Sequence, residues 1–265
     1  MTLVHDSEFL TRMACDAMSP EVDLPPGDRL PIGGTPVQCK LAAAAIDLFY
    51  EQGAHSTTVR EITGACGLTP GALYNHFASK DYLLYVLVRD VHISVDKQMG
   101  ETVASAGPVP AEQLAATVRF LVGHTAGYKR RSRVANREFT LLTGARRQEV
   151  RAIRRRIRDH FQQILLAGAE QGAFDLASGN DQQAAILAAS TIANMCVHIS
   201  EWTLEHHPLG IADLQDRYAR MALRIAGGQA SASDQRSEVL RRDVAAGQDD
   251  ASGPGRFRHA GQQRG

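Results

Sequence analysis

Thr57-Thr58-Val59-Arg60-Glu61-Ile62, followed by Gly67-Leu68-Thr69-Pro70-Gly71-Ala72-Leu73-Tyr74-Asn75-His76-Phe77, decides the reading of this chain. Thr57 or Thr58 caps a helix, and Glu61 stands three residues after Thr58, the spacing of a capping box. Gly67 supplies a turn. Thr69 caps the next helix and Pro70 takes its first position, where a missing N–H costs nothing. Leu73 and Phe77 lie four apart and face inward together. Two short helices joined by a tight turn, the second with small and polar residues outside, are how a protein presents a helix to the major groove of DNA.

The outward positions are Thr69, Gly71, Ala72, Tyr74, Asn75 and His76. Gly71 and Ala72 permit close approach, and Ala72 suits a thymine methyl. Asn75 suits an adenine edge or a phosphate. Thr69, Tyr74 and His76 suit phosphates. Lys80, with the amides that open the following helix, suits the nucleic-acid backbone, and Thr58 can both cap and touch phosphate.

Upstream, an apolar face through Ala43, Ile46, Leu48 and Phe49 predicts a helix over 36–52, stopped by Gly53. Downstream, Ser79 caps a helix over 80–103. The linker Ser105-Ala106-Gly107-Pro108-Val109-Pro110 breaks the pattern. Further helices are expected over 111–126, 132–143, 146–171, 181–206 and 211–226. No segment alternates as a strand does. The expected fold is all-α: an N-terminal three-helix helix-turn-helix DNA-binding domain at 36–84, then a helical ligand-binding and dimerisation domain at 85–227, with nine or ten helices in total. Residues 1–35, rich in Pro and Gly, and 228–265, poor in large apolar groups, are expected to be flexible, with a helical piece possible over 233–244.

Composition bounds the rest. The 265 residues are 44% hydrophobic and formally neutral, so bulk charge gives no sign of nucleic acid. Its distribution does more. Residues 36–90 carry four basic and five acidic side chains, whereas 91–160 carry fourteen basic and six acidic. A reader with a net charge of minus one leans on hydroxyls, amides and helix termini, and two copies on two half-sites offset weak single-copy binding. Cys15, Cys39, Cys66 and Cys196 form no metal or redox motif and read as free thiols in a reducing compartment. No secretory leader and no eighteen-residue apolar run is apparent, so a soluble cytoplasmic protein without membrane contact is expected.

Residues 40–84 resemble the DNA-binding domain of the TetR family of bacterial transcriptional regulators. The resemblance rests on Ala44, Phe49, Gly53, Thr57-Thr58-Val59, Ile62, Gly67 and the run from Gly71 to Asp81. It implies an all-helical homodimer that binds a palindromic operator, usually as a repressor, and releases it when a small ligand enters the C-terminal domain. On that resemblance Thr69, Gly71, Tyr74, His76 and Lys80 match the usual positions of DNA contact.

In the second half, arginines dominate. On a helix, Arg147, Arg151, Arg154 and Arg158 share a stripe beside Val150, Ile153, Ile157 and Phe161. One reading is a solvated face. The other is the electropositive mouth of a pocket for a phosphate-bearing ligand, since the guanidinium fork donates paired hydrogen bonds. The apolar lining would come from Phe139, Leu142, Ile153, Ile157 and Phe161, with Met195 and Trp202, although any of these can be plain core. Ala188, Ile192, Met195 and Ile199 on one helix, with Tyr218 and Met221 on the last, form apolar stripes suited to a four-helix dimer contact or to an internal core.

The phrases at 135–139, 147–159, 195–202 and 217–223 resemble actinobacterial repressors of sterol-ring and fatty-acyl catabolism, which are relieved by acyl-CoA thioesters. That resemblance implies an acyl-CoA effector. The histidines at 92, 124, 160, 198, 206 and 207 are scattered, and no cluster suits a metal, a cofactor or catalysis. Two other classes stay open: a DNA-binding regulator or architectural protein without a small-molecule effector, and an enzyme with an attached DNA-binding domain.

Overall fold

The computed structural model describes residues 34–176, 179, 181–201 and 209–227. The expectations for 1–33, for the tail from 228, for Cys15, for Trp202 and for His206-His207 lie outside the described residues. Within them the chain forms nine α-helices, two short 3₁₀ segments and no strand.

Helix α1 (Pro36–Gln52) opens on a capping box: Thr35 Oγ1 accepts from the Gln38 amide, and the Gln38 side chain accepts from the Thr35 amide. It ends at Gly53, whose φ of 82° reverses the chain. Helix α2 (Val59–Ala65) starts at Thr58, not Thr57, with Glu61 completing its box. Thr57 is buried and donates to the Gly53 carbonyl at 2.9 Å. Helix α3 (Pro70–Tyr74) is shorter than its expected run to Phe77. One further turn is tightened by bonds from the His76 and Phe77 amides to the Leu73 carbonyl. Leu41, Phe49, Ile62 and Leu73 are almost wholly buried between these helices, each contributing about 1.5–3 kcal/mol.

Helix α4 (Lys80–Ser105) runs from this small core into the next. There it packs against α5 (Pro110–Gly127), α6 (Lys129–Arg137) and α7 (Gly144–Glu170), while α8 (Gln182–Val197) packs on α5 and α7, and α9 (Ile211–Ile225) packs on α5. Two helices stop short of expectation. The helix expected over 132–143 tightens to 3₁₀ at Glu138–Leu141, and that over 181–206 does so at His198–Glu201. Residues 182–201 are long and apolar enough to cross a membrane by composition alone. Here Ala184, Ala185, Ala188, Ala189, Ile192 and Cys196 pack into the second core with Met99, Leu114, Phe161 and Leu165.

The boundary expected at residue 84 falls inside α4. The first core also takes in Val134 of α6, Leu142 and Val150 of α7, so the reader is sealed partly by the domain that follows it.

Gly168 shows how tightly α7 closes. A Cβ there would overlap the ring of Phe174, which folds back just past the helix end. Gly168→Ala should cost about 2 kcal/mol by overpacking, read in urea unfolding. Gly64→Ala, where nothing lies within 4 Å of the added carbon, should instead gain about 0.5–1 kcal/mol.

Candidate functional site

Two features stand apart from the packed core. The first is the outer surface of α3. Leu73 and Phe77 are buried at 0% and 4% exposure, and this turns Tyr74 outward at 58%. Thr69, Gly71 and Asn75 are exposed beside it, with Ala72 and His76 half-exposed. Thr69 holds the cap position, yet its side chain makes no capping bond, which leaves the hydroxyl for another partner. Thr58 is exposed but occupied with Glu61. Nothing lies within 4 Å of where a Cβ would stand on Gly71, so packing does not require glycine there. Arg60, exposed on the first turn of α2, adds a cation that the sequence reading passed over.

Lys80 has a second role. Its ammonium donates to the carbonyls of Ala54 (2.6 Å) and Thr57 (2.5 Å). Two of its three donors thus tie α4 to the loop before α2. It braces the reader with these two donors and leaves the third for the phosphate contact expected of it.

The second feature is a partly open cavity of about 540 Å³ lined by α4 to α8. Arg151, Arg154, Arg155 and Arg158 line it, and no acidic residue does. Val91, Val95, Leu121, Phe139, Ile157 and Val197 supply an apolar wall. Arg154 is the most constrained cation. It donates to His92 Nε2 (2.9 Å) and Asn136 Oδ1 (3.1 Å) and lies 4.8 Å above the Phe139 ring. The Nδ1–H of His92 is committed to the Val88 carbonyl, so the ring is neutral and accepts from Arg154. Among the described residues no carboxylate pairs with Arg154, and burial pulls its pKa below the usual arginine value. A desolvated, unpaired guanidinium in an apolar cavity is a strong attractor for an anion.

The stripe of arginines is thus divided. Arg151, Arg154 and Arg158 reach the cavity with Phe139 and Ile157, while Arg147 turns away and stacks over Phe139 from outside, at 5.8 Å. Leu142 and Phe161 are core, in the first and second clusters respectively, and are not among the residues that line this cavity. Both sit on the inward side of their segments, where apolar packing outweighs any exposure to a ligand. His92 and His124, dismissed in sequence as scattered, line the cavity. Their signal was a histidine on an otherwise apolar helical stripe, beside Val88, Val91 and Val95 or beside Leu121 and Val122.

The expected dimer residues need a similar correction. Ala188, Ile192, Ile199 and Tyr218 are buried within the chain's own core, and Met195 is half-buried against it. The large apolar groups left outside on α8 and α9 are Ile186, Leu187, Ile211 and Met221, at 39%, 58%, 43% and 47% exposure. Only Met221 of the expected set is among them.

Reader and cavity are joined along α4 and α7. Glu149, five residues before Arg154, accepts from Arg89 Nε (2.6 Å) and the Tyr85 hydroxyl (2.5 Å) on α4. Burial would raise the Glu149 carboxyl, but these two bonds hold it below its ordinary value. Arg146 stacks over Tyr82 and Tyr85 at 5.2 and 5.4 Å and completes the clamp. Among the described residues no group of three His, Cys, Asp or Glu side chains is placed to hold a metal ion.

Comparison with known proteins agrees with this division. Residues 41–85 match the family model of bacterial regulatory proteins of the tetR family, and residues 107–226 match the tetracyclin repressor-like C-terminal domain. The HTH-type transcriptional repressor KstR2 of Mycobacterium tuberculosis is 46% identical over 50 residues, 19% of this chain and 24% of that one. The chain spans about a third or less of the length of the curated relatives it matches. A tetR-family regulatory protein of Rhodococcus RHA1 superposes with a TM-score of 0.67 at 28% identity, over 74% of this chain and 100% of that one. AibR, solved in complex with isovaleryl coenzyme A and operator DNA, superposes with a TM-score of 0.62 over 72% of this chain and 99% of that one. At 20% identity that likeness is one of fold.

The open space at Gly71 makes it a clean probe of the α3 surface. Gly71→Leu should leave unfolding within about 1 kcal/mol of the parent and weaken binding to a DNA site selected from a random pool about tenfold or more. Unchanged affinity would remove Gly71 from the contact face.

The buried titratable groups set a pH dependence. Burial first, then the charges of Arg154 and Arg131, push His92 and His124 down to about 4 from 6.5. The unfolded chain therefore takes up protons that the folded chain refuses, and stability falls as pH drops from 6.5 toward 4. Asp90, raised by burial to about 6 from 3.8 despite Arg89 and Arg131, works in the opposite sense between 6 and 3.8. Two histidines against one carboxyl leave a net loss of about 2 kcal/mol between pH 6.5 and 5, to be read by calorimetric melting across that range.

Proposed function

The chain belongs to the TetR family of bacterial regulatory proteins, and from that premise we propose that it is a ligand-controlled transcriptional repressor working in the cytoplasm. Two copies bind a palindromic operator, each placing α3 in a major groove, roughly 34 Å apart. Thr69, Gly71, Ala72, Tyr74, Asn75 and His76 form the contact face, with helix termini and hydroxyls making up for the small net charge of the reader. The exposed Ile186, Leu187 and Met221 supply the centre of the homodimer contact, where two α8–α9 pairs meet.

The effector is an amphiphilic anion, and an acyl-CoA thioester suits it. The observation that carries this reading is Arg154: a half-buried guanidinium with no carboxylate partner, fixed by His92 and Asn136 beside an apolar wall. Arg151, Arg155 and Arg158 add charge for a diphosphate, and Phe139, Ile157 and Val197 accept an acyl chain. The resemblance of the second half to acyl-CoA-relieved repressors supports the same class, as does the fold shared with AibR.

Control follows from linkage. A ligand that draws Arg154 and α7 inward shifts Glu149, and with it Arg89 and Tyr85 on α4. The readers then leave the spacing that the operator demands. Reciprocity requires operator DNA to weaken effector binding by the same factor.

Fluorescence anisotropy on a selected operator, with a series of CoA thioesters that includes isovaleryl-CoA, tests the reading. The parent protein should release DNA at saturating thioester. Arg154→Leu should bind DNA within about threefold of the parent and fail to release it. Unchanged operator affinity at every saturating thioester would sink the effector assignment and leave the DNA-binding one standing.

A further inference from the structure

The wall of the cavity is not hydrocarbon throughout. Ser132, on the first turn of α6, is 3% exposed, and its Oγ has no hydrogen-bond partner among the described residues. The backbone of that residue is fully engaged: its amide donates to the Tyr128 carbonyl and its carbonyl accepts from Asn136 Nδ2. The hydroxyl alone is left over, and it lines the cavity.

His124 lines the same space from α5 at 7% exposure. Its ring stands between Phe120 and Tyr128, with centroids 5.8 and 5.0 Å away, and makes no hydrogen bond to a described residue. Burial and the nearby Arg131 keep it neutral, so it offers one N–H donor and one nitrogen acceptor. His92 differs, since both its nitrogens are used.

A buried hydroxyl and a buried imidazole with free capacity are costly beside a saturated chain. An alkyl tail that fills the cavity excludes water from both groups and returns nothing. Packing gives no reason for a polar residue at either site, because Leu121 and Val134 show that α5 and α6 accept aliphatic groups nearby. Discrimination of this kind is asymmetric: a site built to bond an oxygen rejects the analogue lacking it far more strongly than an apolar site rejects an extra one.

We propose that the cavity selects an effector that carries, besides its anionic group, a hydrogen-bonding oxygen on its apolar part, a carbonyl or a hydroxyl, taken up by Ser132 and His124. This rests on the reading of the cavity as an anion-anchored effector site and specifies a second polar contact in the same cavity, one turn of α6 from the Asn136 that holds Arg154. The ligand class is an oxygenated acyl or ring-bearing thioester, not a plain fatty-acyl one.

Isothermal titration calorimetry on the full chain tests it with matched pairs: saturated and keto- or hydroxy-substituted acyl-CoA thioesters of equal length, from butanoyl to decanoyl, with the corresponding free acids alongside. At the best length the oxygenated thioester should bind at least about tenfold tighter, a difference of about 1.4 kcal/mol. Ser132→Ala and His124→Phe should each erase most of that preference and leave the saturated partner within about threefold of its parent value. Equal or tighter binding of the saturated member at every length overturns the proposal, as does a Ser132→Ala effect shared equally by both members. If no thioester binds but the free acids keep the oxygen preference, the thioester reading fails alone. If neither series shows a preference, the proposal falls.

Discussion

Everything in this protein hangs on one continuous rod. Helix α4 begins at Lys80, whose ammonium grips the loop before α2, and carries Val95 and Met99 into the second core before ending at Ser105. Its first turns bury Leu83, Leu84, Leu87 and Val88 against the reader. Its later turns present Val91, His92 and Val95 to the cavity. A helix cannot bend sharply without a proline, a bulge or an inserted group, and the sequence of α4 holds no proline. Movement at the cavity wall is therefore delivered to the reader as a tilt of the whole element. The Glu149 clamp adds a second strut between α7 and the same helix, so α7 and α4 move together or lose two contacts at once.

The polar lining follows the same economy. His92 takes its proton configuration from the Val88 carbonyl one turn earlier, and that choice turns its other nitrogen into an acceptor for Arg154. Asn136 does the equivalent from α6, giving its oxygen to Arg154 and its amide to the Ser132 carbonyl. A cation held by three elements without a counter-charge is poised. The cost of its burial falls as soon as an anion arrives.

Legibility from sequence tracks how local each cause is. Gly53, Gly67, the Thr58–Glu61 box, Pro70 and the Leu73–Phe77 pair act within a few residues, so the reader and most helix boundaries could be written down from spacing alone. The Lys80 bonds span 23 and 26 residues and leave no periodic trace. Apolar periodicity identifies an inward face but not what lies inward. That is why Leu142 and Phe161 passed for lining and Ile192, Ile199 and Tyr218 for a partner contact. The arginine stripe was legible as a stripe. Arg147 was lost from it because Phe139, eight residues away across a 3₁₀ turn, gives it an aromatic face. His92 and His124 were missed because a lone histidine on an apolar face is more often core than ligand.

Val134, Leu142 and Val150 close the reader's core from the far side of the linker. The first three helices are for this reason not a freely transplantable module. A chimera that joined them to another control domain at residue 84 would strip three aliphatic side chains from Phe49 and its neighbours and expose the seam to water. Shuffling of control domains in such a lineage has to carry that seam along or rebuild it, and recombination breakpoints inside α4 are disfavoured by packing well before operator choice or effector choice comes under selection.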